Sequence, residues 1–297
     1  MRLEAQYDPQ FEGILTQVLL GAEELLRIQA AILSLLGETV MARVFITGSS
    51  DGLGRMAAQL LVEQKHSVVL HARNKKRGEE ALSAVPGAES VVVGDLESIS
   101  QVRDVAEQVN KLGAFDAVIH NAGIGYREST RNATEDGLPA MFAVNTLAPY
   151  ILTALIQKPK RLIYVSSGMH RSGDTSLKDL PWEHRPWKGE QSYCDSKLHD
   201  VLLAFAIARR WPRVFSNAME PGWVATKMGG PGAPDDMDAG CRTQVWLAVS
   251  NEVGAKVTGG YFCHMKLREP LSATRKVELQ DKLLESCKRF SGIDLPE

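Results

Sequence analysis

From Ala42 onward the chain alternates between short apolar runs and longer stretches with helical spacing. Arg43–Thr47, Ser67–His71, Ser90–Val93, Phe115–His120, Arg161–Ser166 and Val214–Met219 are dominated by apolar residues, which predicts short strands buried on both faces. Between them, Arg55–Gln64, Lys76–Val85 and Ser100–Lys111 repeat apolar residues every three or four positions, the period of an amphipathic helix. This alternation predicts an α/β fold: one Rossmann-type domain, a doubly wound parallel sheet with helices on both faces.

Ahead of that pattern, Ile14, Leu15, Val18, Leu19, Leu25, Leu26, Ile32, Leu33 and Leu36 recur at roughly helical spacing. Glu23, Glu24, Arg27 and Gln29 interrupt them, so the segment reads as one or two amphipathic helices. It is either an oligomer contact, a membrane-surface anchor, or an appended segment that packs loosely. The expected organisation is a helical extension over 1–40 and a catalytic domain over 41–297, with no chemistry before Met41.

Composition narrows the class. With 297 residues, 44% hydrophobic and 24% charged, the chain suits one large domain whose core needs no disulfide or structural metal. A formal charge of −2 argues against nucleic acid or anionic lipid as a partner. Cys194, Cys241, Cys263 and Cys287 are far apart with no CxxC pair, and the histidines form no HxxxH pair. Metal chemistry is not suggested, and a reducing compartment is. No segment is apolar enough to span a bilayer, and Met1–Pro9 lacks a basic signal-like region, so a cytoplasmic location is expected.

Candidate chemistry sits at two ends of the pattern. Thr47-Gly48-Ser49-Ser50-Asp51-Gly52-Leu53-Gly54 follows the first strand and opens a helix. Glycines there allow backbone amides to approach a pyrophosphate, and the helix N-terminus adds partial positive charge. Downstream, Tyr193 and Lys197 lie four residues apart and share a helix face. A phenol ionises near pH ~10, too high for acid–base work at neutral pH, and a neighbouring ammonium lowers that value. The strand before them ends in Ser166-Ser167, at the sheet edge where ligands bind in open α/β folds.

The G-x-x-x-G-x-G spacing with Thr47, then Asp95-Leu96, Asn121-Ala122-Gly123, Tyr193-x-x-x-Lys197 and Pro221-Gly222, occur in an order that resembles the short-chain dehydrogenase/reductase family. The resemblance implies an enzyme acting on carbonyl or alcohol groups, with Tyr193, Lys197, Ser167 and Asn145 as its catalytic residues. Ser166 is the alternative to Ser167. It implies cofactor contacts from Gly48, Ser50, Gly52, Leu53, Gly54, Arg73, Asp95, Leu96, Asn121, Ala122, Gly123, Pro221, Gly222, Val224 and Thr226, besides Tyr193 and Lys197. Family members often pair through the helices carrying Asn145 and Tyr193, so a homodimer or homotetramer is expected. The apolar pattern Leu198, Leu202, Phe205 and Ala206 agrees with that.

Two features refine the resemblance. After the second strand, Ala72 stands where an NAD-preferring site places an acid for the ribose 2′-hydroxyl, and Arg73 follows it. A guanidinium there suits a 2′-phosphate, so NADP is expected over NAD. Ser167 and Tyr193 lie 26 positions apart, about twice the family's usual interval, as in retinol-dehydrogenase-like members and microbial relatives. The insert, Gly168–Gln191, is either one wall of an apolar substrate pocket or a surface loop pinned by Trp182 and Trp187. The Gly- and Pro-rich loop Met228–Asp236 is expected to act as a lid. A non-catalytic NADP sensor is the competing reading; such proteins usually lack the Tyr or the Lys, and this chain has both. A nucleotide-sugar epimerase is disfavoured by the glycine spacing.

Overall fold

The computed structural model describes residues 41–297, and the expectations placed on 1–40 lie outside the described residues. Ala42–Glu297 forms one compact unit. Its sheet has eight strands: β1 Arg43–Ile46, β2 Ser67–Ala72, β3 Ser90–Val93, β4 Ala117–His120, β5 Arg161–Val165, β6 Phe215–Glu220, β7 Tyr261–Cys263 and β8 Lys266–Leu267. They lie in the order β3-β2-β1-β4-β5-β6-β7-β8. Only the β7–β8 pair is antiparallel. The order reverses between β1 and β4, and such a switch point opens a crevice at the carboxyl ends of the strands.

Alternation within each strand feeds two cores. Phe45 and Val118 face one layer, with Leu152 and Leu202, while Val44, Ile46 and Ile119 face the other, with Leu61 and Val245. The helices are α1 Gly52–Glu63, α2 Lys75–Ala84 and α3 Ile99–Leu112, then α4, which runs from Ala140–Phe142 through a π turn at Ala143–Leu147 to Ala148–Leu155. After it come α5 Gly189–Arg210, α6 Met237–Val249 and α7 Val277–Ser291. Side-chain oxygens of Asp51, Asn74 and Ser98 cap α1, α2 and α3, filling orphan amides of the first turn.

The C-terminal helix changes one expectation. Helix α7 packs along α5, and Leu198, Leu202, Phe205 and Ala206 share one buried core with Leu279, Leu283 and Cys287. The Arg275 guanidinium lies 5.2 Å from the centre of the Phe205 ring, and Arg209 binds Asp281. The apolar pattern offered for a partner subunit is thus used within one chain. Among the described residues, no helix is long and apolar enough to cross a membrane.

Candidate active site

The first turn is shaped by backbone packed on backbone. Gly48 has φ +63°, and a Cβ on it would lie 2.8 Å from the Ala122 Cα. A Cβ on Gly54 would lie 2.6 Å from the Gly48 carbonyl and strike the Asn121 amide. Asn121 Nδ2 donates to the Thr47 and Gly48 carbonyls at 3.0 and 3.2 Å, and its own N–H donates to Thr47 Oγ1 at 3.0 Å. The β1 turn and the end of β4 are therefore stitched into one unit.

His71, read from the sequence only as a strand residue, completes this turn. Its Nδ1 accepts from the Gly48 N–H at 3.0 Å and its Nε2 lies 2.9 Å from the Gly94 carbonyl. Accepting at one nitrogen and donating at the other requires a neutral ring. Complete burial enforces that state, pushing the imidazole down to about 4. A histidine closing an otherwise apolar strand was the available signal.

A cavity of about 880 Å³ runs along the carboxyl edge of the sheet. Gly48, Ser50, Gly52, Leu53, Arg73, Asp95, Leu96, Asn121, Ala122 and Gly123 line one end. Ser167, Tyr193, Lys197, Pro221, Gly222, Val224 and Thr226 line the other. Gly54 and Asn145, also expected in the site, stand behind its wall. Arg73 is exposed at the end of β2. Asp95 accepts from the Glu97 N–H at 3.1 Å, a turn that shapes the rim.

At the reactive end, Lys197 Nζ sits 5.7 Å from the centre of the Tyr193 ring. Nζ donates to the Val165 carbonyl at 2.9 Å and to Asp200 Oδ2 at 2.8 Å. The two adjacent serines have different tasks. Ser166 is buried and donates to the Lys197 carbonyl at 2.7 Å, tying β5 to α5. Ser167 faces the cavity beside Tyr193, and its Oγ accepts a long 3.3 Å bond from the Met169 N–H. This division favours Ser167 over Ser166 as the group that meets a substrate.

Asn145 lies in the π turn of α4. Pro149, four residues on, has no N–H to close the α-helical bond to the Asn145 carbonyl, and the ladder widens there. The Asn145 side chain accepts from Ile124 N–H at 2.8 Å and donates to Ser196 Oγ at 3.0 Å. It holds the Ile124 backbone to α5 from behind the cavity.

Lys197 pulls on Tyr193 in the expected direction, but the net result differs from the sequence expectation. Burial raises the phenol above its ordinary value; Lys197 and Ser167 pull it down, and Asp200 and Tyr126 add to the rise. The net direction is up, because burial outweighs an ammonium already bound to a carboxylate.

The insert resolves toward its plainer reading. Of its residues only Gly168 and Met169 line the cavity. Trp182 is buried, meets Trp187 edge-on at 5.3 Å, and carries the Arg185 guanidinium 3.6 Å above its ring. Arg185 also binds Asp195 of α5 at 2.7 Å. His170 receives the Leu271 N–H at 3.1 Å and lies against Tyr261, a structural post rather than a catalyst. The loop after β6 supplies the wall instead, through Trp223, Met228, Gly229 and Asp235. It closes on itself where the Trp223 N–H donates to Asp235 Oδ2 at 2.6 Å and the Trp223 indole to the Gly229 carbonyl at 3.0 Å.

The sequence profile of the short chain dehydrogenases matches residues 42–172. A short-chain dehydrogenase of Penicillium rubens, chyC, is 46% identical over 86% of this chain and 100% of its own length. The chain belongs to the short-chain dehydrogenase family. Retinol dehydrogenase 13 of Homo sapiens is 27% identical to this short-chain dehydrogenase, over 85% of each chain, which agrees with the expected subgroup. A solved but uncharacterized protein of Mycobacterium paratuberculosis shares the fold with a TM-score of 0.75, at 23% identity over 88% of this chain and 98% of that one.

Proposed function

We propose that this short-chain dehydrogenase is an NADP-dependent oxidoreductase that moves hydride between the nicotinamide and a carbonyl or alcohol carbon. The observation that carries the reading is the meeting of Tyr193, Lys197 and Ser167 in one cavity with the glycine turn.

The cavity fits a dinucleotide. At Gly123 a Cβ would lie 3.5 Å from both Asn145 Oδ1 and Lys197 Nζ, so the missing side chain keeps a shelf open there. Gly48, Ser50, Gly52 and Leu53 would hold the pyrophosphate at the N-terminus of α1, with Gly54 packed behind them. Asp95, Leu96 and Asn121–Gly123 would flank the adenosine side, and Pro221, Gly222, Val224 and Thr226 the carboxamide. Arg73 would grip the 2′-phosphate, with the Ser50 hydroxyl beside it.

When bound, the nicotinamide supplies or accepts the hydride. Tyr193 gives its phenol proton to the substrate oxygen as negative charge builds there. Ser167 donates a hydrogen bond to the same oxygen. Lys197 would hold the ribose hydroxyls and, as a cation one turn away, stabilises the phenolate left on Tyr193. Alcohol oxidation follows the same path in reverse. The substrate is a small carbonyl or alcohol with an apolar body, matched to Ile124, Tyr126, Met169, Trp223 and Met228 in the wall. Buried, unpaired Cys194, Cys241 and Cys287 support a reducing, cytoplasmic setting.

The test is consumption of NADPH and of NADH across ketones, aldehydes, retinoids and quinones. Turnover with NADPH and much weaker turnover with NADH is the expected result. Equal affinity for both cofactors would defeat the cofactor assignment. Tight NADPH binding with no consumption on any carbonyl would leave a cofactor-sensing protein instead.

A further inference from the structure

A carboxylate that the catalytic reading does not use stands directly behind the lysine. Asp200 lies three residues after Lys197 on α5, with Oδ2 2.8 Å from Nζ and side-chain exposures of 3% and 5%. Two charges this deep hold together only as a pair, because separating them would leave an unsolvated ion in the core. The pair fixes where Nζ can be. Its second bond, to the Val165 carbonyl at 2.9 Å, comes from the strand end next to Ser166 and Ser167. The ammonium is thereby held from two sides, and its charge is partly cancelled before it reaches Tyr193.

We infer that Asp200 is a positioning residue that clamps Lys197 and offsets its charge against Tyr193, setting this site to give a proton to a carbonyl rather than take one from an alcohol. The inference rests on the proposed role of Tyr193.

The surroundings leave Asp200 few other partners. From β5, Tyr164 lies within reach of its charge, with the Tyr164 hydroxyl engaged by Thr153 at 2.8 Å. His120 of β4 stacks on Tyr164 at 4.8 Å and is kept neutral, pushed by burial down to about 3. Tyr126, in the loop after β4, meets the Tyr193 ring edge-on at 5.6 Å, and Glu220 of β6 lines the same cavity. Among the described residues, Lys197 is the cation that acts on Asp200. Burial raises Asp200 to about 6, so at neutral pH it is an anion facing an ammonium. Burial works against the Lys197 charge, and Asp200 outweighs it, so the ammonium persists far into the alkaline range.

The consequence is directional. Reduction needs the Tyr193 phenol and oxidation needs its phenolate. With Asp200 in place the phenol persists to higher pH, so reduction runs across the neutral range and oxidation is confined to alkaline solution.

The test reads the phenolate directly, without substrate or cofactor. Near-ultraviolet absorbance at about pH 9.5 is compared between each protein and its Tyr193→Phe partner, so that the difference reports Tyr193 alone. Asp200→Asn should hold about tenfold more Tyr193 phenolate than the unmutated protein. Asp200→Glu should keep the low phenolate content, and the Asn effect should shrink markedly in a Lys197→Met background, where only the direct repulsion between Asp200 and the phenolate is left. Asp200→Ser carries the same expectation as Asn if the Asn variant does not fold. In NADPH-dependent reduction, the alkaline limb should move down in parallel.

An unchanged phenolate fraction in the folded Asn or Ser variant overturns the inference while leaving the proton-donor role intact. An equal rise in the Lys197→Met background overturns it as well, since the route through the lysine would be wrong. Normal turnover in Tyr193→Phe would instead sink the underlying reading.

Discussion

At the cofactor end of the cavity the working surface is backbone: Gly48 and Gly54 are shaped by what a Cβ would strike, and Asn121 and His71 spend their side chains fixing main-chain groups. At the reactive end it is buried charge, with Lys197 and Asp200 paired behind Tyr193. At the first end Gly48 and Gly54 leave no room for added atoms. The second has space fixed by an ion pair, and its chemistry depends on which proton sits where. Damage to the two ends should therefore separate cleanly into binding and turnover.

Tyr193→Phe should give the largest effect. Turnover should fall about 10²-fold or more, as for loss of a positioned acid, while NADPH titration shows binding retained. Joint loss of binding and turnover would merge the two ends. Arg73→Ala acts at the opposite end. It should weaken NADPH by roughly 10–100-fold, the worth of a charge-assisted bond of about 1.5–3 kcal/mol, and leave NADH nearly unchanged. A parallel loss for both cofactors would mean that Arg73 serves the fold rather than the phosphate.

Gly54→Ala sharpens the contrast through stability. Overpacking against Gly48 and Asn121 should cost about 1–3 kcal/mol, read as a lower Tm together with weaker cofactor binding. An unshifted melt would show that the turn can give way. Acid stability comes next. His71, His170 and His199 are pushed by burial down to about 4, from an ordinary 6.5. Unfolded, each takes up a proton near 6.5; folded, each resists until about 4. Their contribution is complete above pH 6.5 and is lost as pH falls, by up to about 1.4 kcal/mol for each histidine over every tenfold rise in proton concentration. A denaturant midpoint that stays flat from neutrality to pH 5 would contradict this. The smallest expected effect is none: a chain starting at Met41 should keep its turnover, since the cavity lining begins at Gly48. Insoluble or inactive protein would assign residues 1–40 to the core or to an assembly.

The sequence carried these ends unequally. Strands β1 to β6 and helices α1 to α3 were legible within about three residues, because a two-sided parallel sheet forces continuous apolar runs. Helix α6 was not, since Gly240, Cys241, Thr243, Gln244 and Leu247 are all buried and leave no clear polar face. The glycine turn was legible because its chemistry is the spacing itself. Asp200 was missed although it lies one turn from Lys197, because an acid on a helix ordinarily faces water and only tertiary burial makes it a partner. The insert was legible only as two alternatives, a ligand wall or a pinned loop, and Trp182 is spent on Arg185 and Trp187 on the Glu128 carbonyl. Sequence alone does not say which side of a loop an aromatic ring will face.

The C-terminal helix has a consequence for how this protein behaves when scarce. A catalytic helix stabilised by a second subunit loses its cover as the pair dissociates, so its activity per molecule depends on concentration. Here the cover for α5 is tethered to the same chain, and tethering replaces a diffusing partner with a fixed high local concentration. The tail beyond α7 closes the arrangement, with the Tyr150 hydroxyl donating to the Ile293 carbonyl at 2.8 Å and the Trp211 indole to the Pro296 carbonyl at 2.9 Å. What α7 and the tail contribute to the support of α5 is thus unaffected by dilution, whatever other surface a second copy covers.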